Sequence, residues 1–378
     1  LHDALPISPA GWTGLVDHLR QTSAATDTEL VDAGLAKWSK HGTLYDVFRD
    51  RLVFGLHDIH GDLVGYVGRR APGTDDGPKY LNTPETAVFH KRAVLFGLHE
   101  GRTDLDAGAT PVRVEGTLDA IAITAASNGR LVGVAPLGTA LSATQAEHLT
   151  AAANSDRRVL VAPDVDEAGL AAAERDYWKL VDLGADPRIL PIPGGDAAEA
   201  WQDQPEVLTT ITAVADAAPP LASTVIDRRL DRHTADLDEG WIHARVNAAR
   251  AVAPVIASTP LPQWEQHVED VAARLGDDDA KDLIWTEVLA AAIPWNPLVE
   301  DEQTRDEEDI TTARRSLADI SADLDAIQAD QGPRRDAIAA LSEALSRRQD
   351  AREKQPRSTR RDQGRGHDRP TRRGPSRS

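Results

Sequence analysis

Two acidic turns, one at Glu115 and Asp119 and one at Asp164 and Asp166, constrain what this chain can fold into. Each turn follows a short apolar run that is typical of a buried strand, and each precedes an alanine-rich segment with helical spacing. Carboxylates that cluster at strand ends repel one another unless a cation lies among them. Because every candidate ligand is an oxygen, the pattern predicts a Mg²⁺ or Mn²⁺ site. We therefore expect a metal-dependent enzyme that acts on phosphates.

The region around these turns alternates strands with helices. Strands are predicted at 112–114, 131–135, 159–162 and 188–190, and helices at 117–128, 142–153 and 167–183. Such alternation predicts a parallel sheet with right-handed crossovers, whose ligands bind at the carboxyl ends of the strands. Glu115 and Asp164 fall at that edge, and Asp196, which follows the fourth strand, is a further candidate.

Pattern and composition divide the chain into predicted segments. These are an α+β subdomain at 1–108, an α/β domain at 109–204, a helical subdomain at 205–295, a charged helical hairpin or short coiled coil at 296–346, and a disordered basic tail at 347–378. The tail is rich in Arg, Pro, Gly and Ser and almost lacks apolar residues, which is typical of disorder. The predicted fold class is thus α/β, a parallel sheet flanked by helices, with an α+β subdomain before it and a helical subdomain after it.

Composition excludes several classes of protein. The chain has no Cys, which excludes disulfides, thiol catalysis and thiolate zinc sites, so no zinc is expected in it. No apolar run approaches the roughly 20 residues of a membrane helix, and no signal peptide is recognisable, so we expect a cytoplasmic protein without a membrane partner. The chain also has no Met, and we expect the natural start to lie upstream. The net charge of 42 − 61 = −19 argues against a nucleic-acid partner, but a local basic cleft can override it.

The residues alone leave the roles of the carboxylates open. Two ions about 4 Å apart could stabilise the attacking and leaving oxygens of phosphoryl transfer. Alternatively, Glu115 could be a general base while the Asp residues hold metal. An Asp at a strand–helix junction is also a common helix N-cap, which is the plainer interpretation of Asp119 or Asp196 taken alone.

The two acidic motifs resemble those of the Toprim domain, which bacterial primases share with type IA and type II topoisomerases and several nucleases. The N-terminal part narrows this choice, because several of its segments resemble the DnaG-type bacterial primase. They are FRDRLVF at 48–54, GYVGRR at 65–70, PKYLNTPET at 78–86 and FHK at 89–91, joined by PLGTAL at 136–141. The similarity runs from about Pro9 to Trp201.

This resemblance implies a DNA primase, which synthesises short RNA primers on single-stranded DNA from ribonucleoside triphosphates during DNA replication. A replicative helicase is a further implied partner, and the nucleoid or replication fork is the implied location. The implied metal ligands are Glu115, Asp119, Asp164, Asp166 and Asp196, with Glu115, Asp164 and Asp166 catalytic. The implied nucleotide- and nucleic-acid-binding residues are Arg49, Arg51, Arg69, Lys79 and Lys91, together with Asn82 and Tyr80.

The sequence departs from the family pattern at two positions near the acidic site. Val165 stands where the family usually has Gly, so we expect a slightly different loop, because a β-branched residue disfavours positive φ. Ala198 stands where a further carboxylate is usual. We interpret Asp176 as a solvated helix charge. The alternative functions are a Toprim-type nuclease and a non-catalytic single-stranded-DNA-binding protein of a mobile element.

Overall fold

A computed structural model describes most of the first three predicted segments. The described residues are 7–71, 77–138, 140–192, 196–203, 205–238, 242–276 and 280–292. The chain divides into two compact units, Leu1–Pro297 and Leu298–Ser378, and all described residues belong to the first. The predicted hairpin or coiled coil at 296–346 and the predicted tail at 347–378 lie outside the described residues.

The N-terminal part begins with two helices and a small antiparallel ladder. These elements are α1 (Gly14–Thr22), α2 (Asp27–Asp32), β1 (Ala36–Trp38) and β2 (Leu44–Asp46). Helix α2 starts at a capping box, in which Thr26 and Glu29 bond to each other's backbone N–H groups. Val16, Leu30 and Leu44 bury their side chains together and form a small separate core.

A three-stranded antiparallel sheet follows. Its strands are β3 (Arg51–His57), β4 (Leu63–Arg70) and β5 (Tyr80–Asn82), in the order β3-β4-β5. A hairpin across 58–62 joins β3 to β4, with Phe54 opposite Val67. Arg69 of β4 lies opposite Tyr80 of β5 in the antiparallel pairing of these two strands, so the end of β4 and the start of β5 are side by side.

The α/β region contains a five-stranded sheet. Its elements are β6 (Leu95–Phe96), α3 (Arg102–Asp106), β7 (Thr110–Arg113), α4 (Thr117–Ala126), β8 (Leu131–Pro136), α5 (Ala143–Ala152), β9 (Arg158–Val161), α6 (Glu167–Asp182) and β10 (Asp186–Ile189). The strand order is β10-β9-β7-β8-β6, in which β6 is antiparallel and the other four strands are parallel. The predicted fold class is confirmed. Strand β6, which is only two residues long, was not among the predicted strands.

The rest of the first unit is helical. Its helices are α7 (Ala197–Asp203), α8 (Pro205–Leu208), α9 (Ile211–Asp216), α10 (Leu221–Asp231), α11 (Thr234–Asp238), α12 (Ile242–Ser258), a 3₁₀ turn (Leu261–Gln263), α13 (Trp264–Leu275) and α14 (Ala280–Ala292). Helix α12 packs against both α10 and α14, and α10 contacts β10 and α6. Across the described ranges, no helix is both long and apolar enough to cross a bilayer.

One continuous hydrophobic core joins the antiparallel sheet to the parallel sheet. Phe54 and Leu56 of β3 belong to the same buried cluster as Val112 of β7 and Ile123 of α4. Phe54 and Phe96 also meet edge to face, with ring centroids 5.8 Å apart. The shared core fixes β4 and β5 relative to the carboxyl edge of the parallel sheet. The exact boundaries between the subdomains stay a prediction.

We predict that Gly133→Ala destabilises the chain by about 3 kcal/mol, because β8 and α4 leave no room for a side chain there. An added Cβ would lie 2.3 Å from the Ala120 carbonyl oxygen and 2.5 Å from the Ala120 Cα. Urea unfolding measures the loss. Gly11→Ala is the matched control, since an added Cβ there meets nothing within 4 Å, and it should change stability by less than about 0.5 kcal/mol. Equal effects of the two substitutions would contradict this packing.

Candidate active site

Glu115 and Asp164 meet at the carboxyl edge of the parallel sheet. Strands β7 and β9 are neighbours, with Arg113 opposite Val161, so the residues after both strands emerge at the same edge. The Asp164 backbone N–H donates a hydrogen bond to Glu115 Oε1 at 3.2 Å. The structure therefore brings together the leading acidic residues of the two turns, as the sequence predicts.

Gly169 makes this approach possible. A Cβ added at Gly169 would lie 2.4 Å from the Asp164 carbonyl oxygen and 3.0 Å from Glu115 Oε1. Only a residue without a side chain lets the first turn of α6 lie so close to both acidic residues. Asp166 is the exposed N-cap of the same helix, and its Oδ1 accepts a hydrogen bond from the Gly169 N–H at 2.6 Å.

Asp119 and Asp196 form a second acidic pair. Asp119 lies in the first turn of α4, where its Oδ2 accepts from the Gly116 N–H at 3.1 Å and its Oδ1 from the Ala198 N–H at 3.0 Å. Asp196 precedes α7 and accepts from the Glu199 N–H at 2.9 Å. Both residues thus bond to helix N-termini, yet their side chains also share a hydrogen bond with each other. The helix-capping interpretation of these two residues is therefore compatible with the metal-ligand prediction, which stays a prediction.

Burial, neighbouring charges and hydrogen bonds shift the pKa values of three of these carboxyls. Burial raises the pKa of Asp119 to about 7, helped by the hydrogen bond and the negative charge of Asp196. Burial also raises the pKa of Asp164 to about 6, with repulsion from Glu115 and Asp196 adding to it. The pKa of Asp196 is lowered instead, because bonds from the Glu199 N–H and Asp119 and the charge of Lys79 outweigh its burial.

The donor set fits an oxygen-coordinated divalent cation. Toprim primases are metal-dependent, and two carboxyls here, Asp119 and Asp164, bind their protons more tightly than ordinary carboxyls, which a nearby cation would reverse. Among the described residues, no three acidic or histidine side chains converge on one point as a complete ligand shell. Mg²⁺ is nevertheless commonly bound by one or two carboxylates, with water and substrate phosphates as its remaining ligands.

A basic wall, formed by Arg69, Lys79 and Tyr80, faces this acidic edge. Arg69 Nη1 donates to Tyr80 Oη at 3.3 Å, and Lys79 Nζ lies 5.9 Å from the centre of the Tyr80 ring. The wall approaches the acidic edge closely, because a Cβ added at Gly116 would lie 3.3 Å from Tyr80 Oη. The positive charge of Lys79 also acts on the pKa of Asp196, so the two side chains are near each other.

Asn82 and Lys91 lie at the carboxyl end of the neighbouring strand β8. Asn82 Nδ2 donates to the Leu137 carbonyl at 3.3 Å. A Cβ added at Gly138 would lie 4.0 Å from Lys91 Cε. Because β7 and β8 are parallel, their carboxyl ends share one edge of the sheet. These two predicted residues therefore flank the same edge as Glu115.

Two of the three predicted arginines, Arg49 and Arg51, make their contacts within the N-terminal part itself. Arg51 is only 4% exposed, and its Nη1 donates to the carbonyls of Gly68 at 3.2 Å and Pro78 at 2.9 Å. This burial contradicts the predicted nucleic-acid-binding role of Arg51, whose side chain instead anchors the backbone that carries Lys79. Arg49 is half-buried, and its Cζ lies 4.2 Å from the centre of the Trp12 ring.

One further expectation, on Asp176, needs correction. Asp176 is not a solvated helix charge: it is 0% exposed and forms an ion pair with Arg113, with 2.9 Å between Oδ2 and Nε. A signal for this was present, because Asp176 falls on the buried stripe of α6 beside Ala172 and Tyr177. Val165 is 79% exposed and does not adopt a positive φ, as a β-branched residue favours, and the expected difference from the family's loop stays a prediction.

The fold and the site together define a Toprim protein, and comparison with known proteins makes this more specific. Residues 112–201 match the Toprim-like family model, and residues 4–102 match the N-terminal domain of the DNA primase catalytic core. A DNA primase of Synechococcus elongatus is 35% identical over 73% of this chain and 39% of its own length. One from Deinococcus radiodurans is 38% identical over 52% of this chain and 34% of its own length.

Solved structures agree with these matches. A DnaG primase catalytic domain bound to single-stranded DNA is 27% identical, with a TM-score of 0.57 over 73% of this chain and 84% of that one. A DNA primase domain from Pseudomonas aeruginosa is 28% identical, with a TM-score of 0.57 over 75% and 85%. The chain belongs to the DnaG-type bacterial primase family, as the sequence predicted. It spans less than half the length of the curated relatives named above.

We predict that the metal-free chain loses stability as the pH rises from about 4 to about 7. Asp119 and Asp164 hold their protons more tightly when folded, with pKa values of about 7 and about 6, than when unfolded. Their contribution is therefore fully present below the ordinary carboxyl pKa and is lost as the pH approaches 7. Thermal melts in EDTA measure the effect, which should lower the Tm by roughly 4 °C.

Two comparisons isolate this effect from other titrations. Asp119→Asn should flatten the pH dependence, because it removes the proton-binding group and retains an acceptor for the Ala198 N–H. Millimolar Mg²⁺ should raise the Tm of the unsubstituted chain more at pH 8 than at pH 5, since ionised carboxylates bind the ion. Identical pH profiles for the two chains would show that Asp119 does not titrate in this range.

Proposed function

We propose that this chain catalyses template-directed synthesis of short RNA primers on single-stranded DNA from ribonucleoside triphosphates. The observation that carries the proposal is the pairing of Lys79 and Tyr80 with the acidic edge, across from Glu115 and Asp196. Nucleotidyl transfer needs both the basic wall and the acidic edge, because anionic triphosphates must be held beside carboxylates that bind metal. The match of residues 4–102 to a primase-specific domain supports the same activity.

In the proposed mechanism, Glu115, Asp164 and Asp166 are the catalytic residues. Together with Asp119 and Asp196 they would hold Mg²⁺ or Mn²⁺, which supplies charge neutralisation at the attacking and leaving oxygens. The backbone of this chain fixes the carboxylates beforehand, since Asp119 is held by two N–H groups and Asp166 by one. Fixed groups need little reorganisation as charge develops.

The transfer itself joins a 3′-oxygen to the α-phosphorus and releases pyrophosphate. The hydroxyl proton must leave as the new bond forms, and a carboxylate is the acceptor that this site offers. Glu115, whose Oε1 accepts the Asp164 N–H, is the proposed proton acceptor where the aspartates alone hold the metal.

Lys79, Lys91 and Arg69 are the proposed contacts for triphosphate and nucleic acid. Lysine is a compact point charge on a long stem and suits a phosphate that moves during the reaction. Tyr80 and Asn82 would contact the nucleotide or the template from the same strand, β5. Arg51 supports this strand from beneath and is not proposed as a contact.

The proposed partners follow from this activity. Single-stranded DNA is the template, and a relative's catalytic domain has been captured with single-stranded DNA bound. The replicative helicase and the location at replication forks in the cytoplasm stay predictions from the family resemblance. The nuclease and binding-protein alternatives are less favoured, because neither explains the primase-specific N-terminal domain.

We predict that Asp164→Asn lowers primer synthesis by about a hundredfold or more, because it removes a charge from the proposed metal site. Incorporation of labelled ribonucleotides on a single-stranded template with Mg²⁺ measures the rate. Asp156→Asn is the matched control, since Asp156 is an exposed loop residue near the start of β9, and it should leave the rate unchanged. DNA cleavage without nucleotides, together with no incorporation by the unsubstituted chain, would favour a nuclease instead.

We predict that Lys79→Ala raises the KM for ribonucleoside triphosphates about tenfold, because one charge-assisted contact to phosphate is lost. Steady-state synthesis at varied nucleotide concentration measures the KM. Lys281→Ala is the control, as Lys281 lies on α14 and pairs loosely with Glu269 at 3.7 Å. An unchanged KM for Lys79→Ala would remove Lys79 from the proposed triphosphate site.

A further inference from the structure

We propose that Arg113 and Asp176 are positioning residues, which hold the acidic edge and the residues after β8 in one fixed arrangement. This proposal rests on the proposed primase activity for its functional consequence. Neither residue is proposed to contact the substrate. Arg113 acts by positioning Glu115, and Asp176 acts by positioning the backbone at Leu141.

The pair occupies a central position in the α/β region. Arg113 is the last residue of β7, two residues before Glu115, and it is 0% exposed. Asp176 lies on α6, whose N-cap is Asp166, and it is also 0% exposed. The 2.9 Å contact between Arg113 Nε and Asp176 Oδ2 therefore joins the two elements that carry the two acidic turns.

The second oxygen of Asp176 extends the link to the segment after β8. Asp176 Oδ1 accepts a hydrogen bond from the Leu141 N–H at 2.8 Å. Next to Leu141, the Ser142 hydroxyl donates to the Arg92 carbonyl, and Gln145 Nε2 donates to the Lys91 carbonyl at 3.2 Å. The segment held by Asp176 thus supports the backbone of Lys91.

The same segment also reaches Asn82. The Leu137 carbonyl accepts from Asn82 Nδ2 at 3.3 Å. The buried carboxylate of Asp176 therefore links the acidic edge to Lys91 and Asn82, which are proposed to contact nucleotide or template. A change at Asp176 should move Lys91 and Asn82 relative to Glu115.

Energetics favour a positioning role over a stabilising one. A buried ion pair has a large desolvation penalty and is often no more stable than well-packed apolar residues of similar volume. What apolar side chains cannot supply is the directed acceptor for the Leu141 N–H. The other side of α6 is already held by Glu174, which pairs with Arg228 and with Arg229 at 2.8 Å.

Two double variants separate the acceptor from the charge. Arg113→Leu with Asp176→Leu removes both, whereas Arg113→Leu with Asp176→Asn removes the charges and keeps an oxygen for the Leu141 N–H. We expect both variants to keep a Tm near that of the unsubstituted chain. The Leu/Leu variant should lose kcat/KM for primer synthesis by about tenfold to a hundredfold, and the Leu/Asn variant should stay within about threefold.

Hydrogen exchange gives a reading that does not depend on activity. The Leu141 amide should be protected in the unsubstituted chain and in the Leu/Asn variant, and should exchange at least about a hundredfold faster in the Leu/Leu variant. If the chain makes no primers, the proposed function fails, while exchange at Leu141 still tests the link to Asp176.

Several outcomes would overturn the proposal. One is a Leu/Leu variant with undiminished kcat/KM. Another is a Leu/Asn variant that loses as much activity as the Leu/Leu variant while melting at the same temperature. If the Leu/Leu variant does not fold, the unsubstituted chain and the Leu/Asn variant still decide, because a rapidly exchanging Leu141 amide in either contradicts the link.

Discussion

Repulsion among carboxylates at one edge of a parallel sheet is the interaction on which the site depends. Four parallel strands deliver their following residues to the same side, so chain topology alone crowds Glu115, Asp164 and Asp196 together. Burial raises the pKa values of Asp119 and Asp164, and repulsion from the neighbouring carboxylates raises them further. A carboxyl that is costly to ionise in the free protein gains most when a cation binds beside it, so the proposed metal would relieve this repulsion.

The protein compensates for this crowding with its own backbone. The N–H groups of Gly116, Ala198 and Gly169 each donate to an acidic side chain, and all three lie at or near the start of a helix. Helix N-termini carry partial positive charge, so the fold places its dipoles where negative charge collects. The position of Ala198 shows this clearly, because a residue without a carboxylate still contributes its N–H to Asp119.

Periodicity in the sequence was sufficient to predict the four parallel strands of the α/β region and the three helices that connect them, because apolar strands and alanine-rich helices have distinct periods. It also predicted which edge would carry the carboxylates. Periodicity could not predict that the Arg51 side chain is buried, because its partners are carbonyls of a strand and a loop that are distant in sequence. Asp176 differs, because its place on the buried stripe of α6 and the single Arg within the apolar strand β7 together indicated a buried pair.

The basic wall and the acidic edge come from different sheets, so their spacing cannot be a property of either sheet alone. The shared core around Phe54 and Val112 sets the distance coarsely, since apolar packing is not directional. Hydrogen bonds are directional, so they must set the exact distance between the basic wall and the acidic edge. Asn82 to Leu137 and Asp176 to Leu141 both meet the backbone that follows β8, the strand beside the one that leads to Glu115. The backbone after β8 therefore sets the position of the basic wall relative to the acidic edge. The Arg113–Asp176 ion pair, which we do not expect to add much stability, is explained by its role in fixing that position.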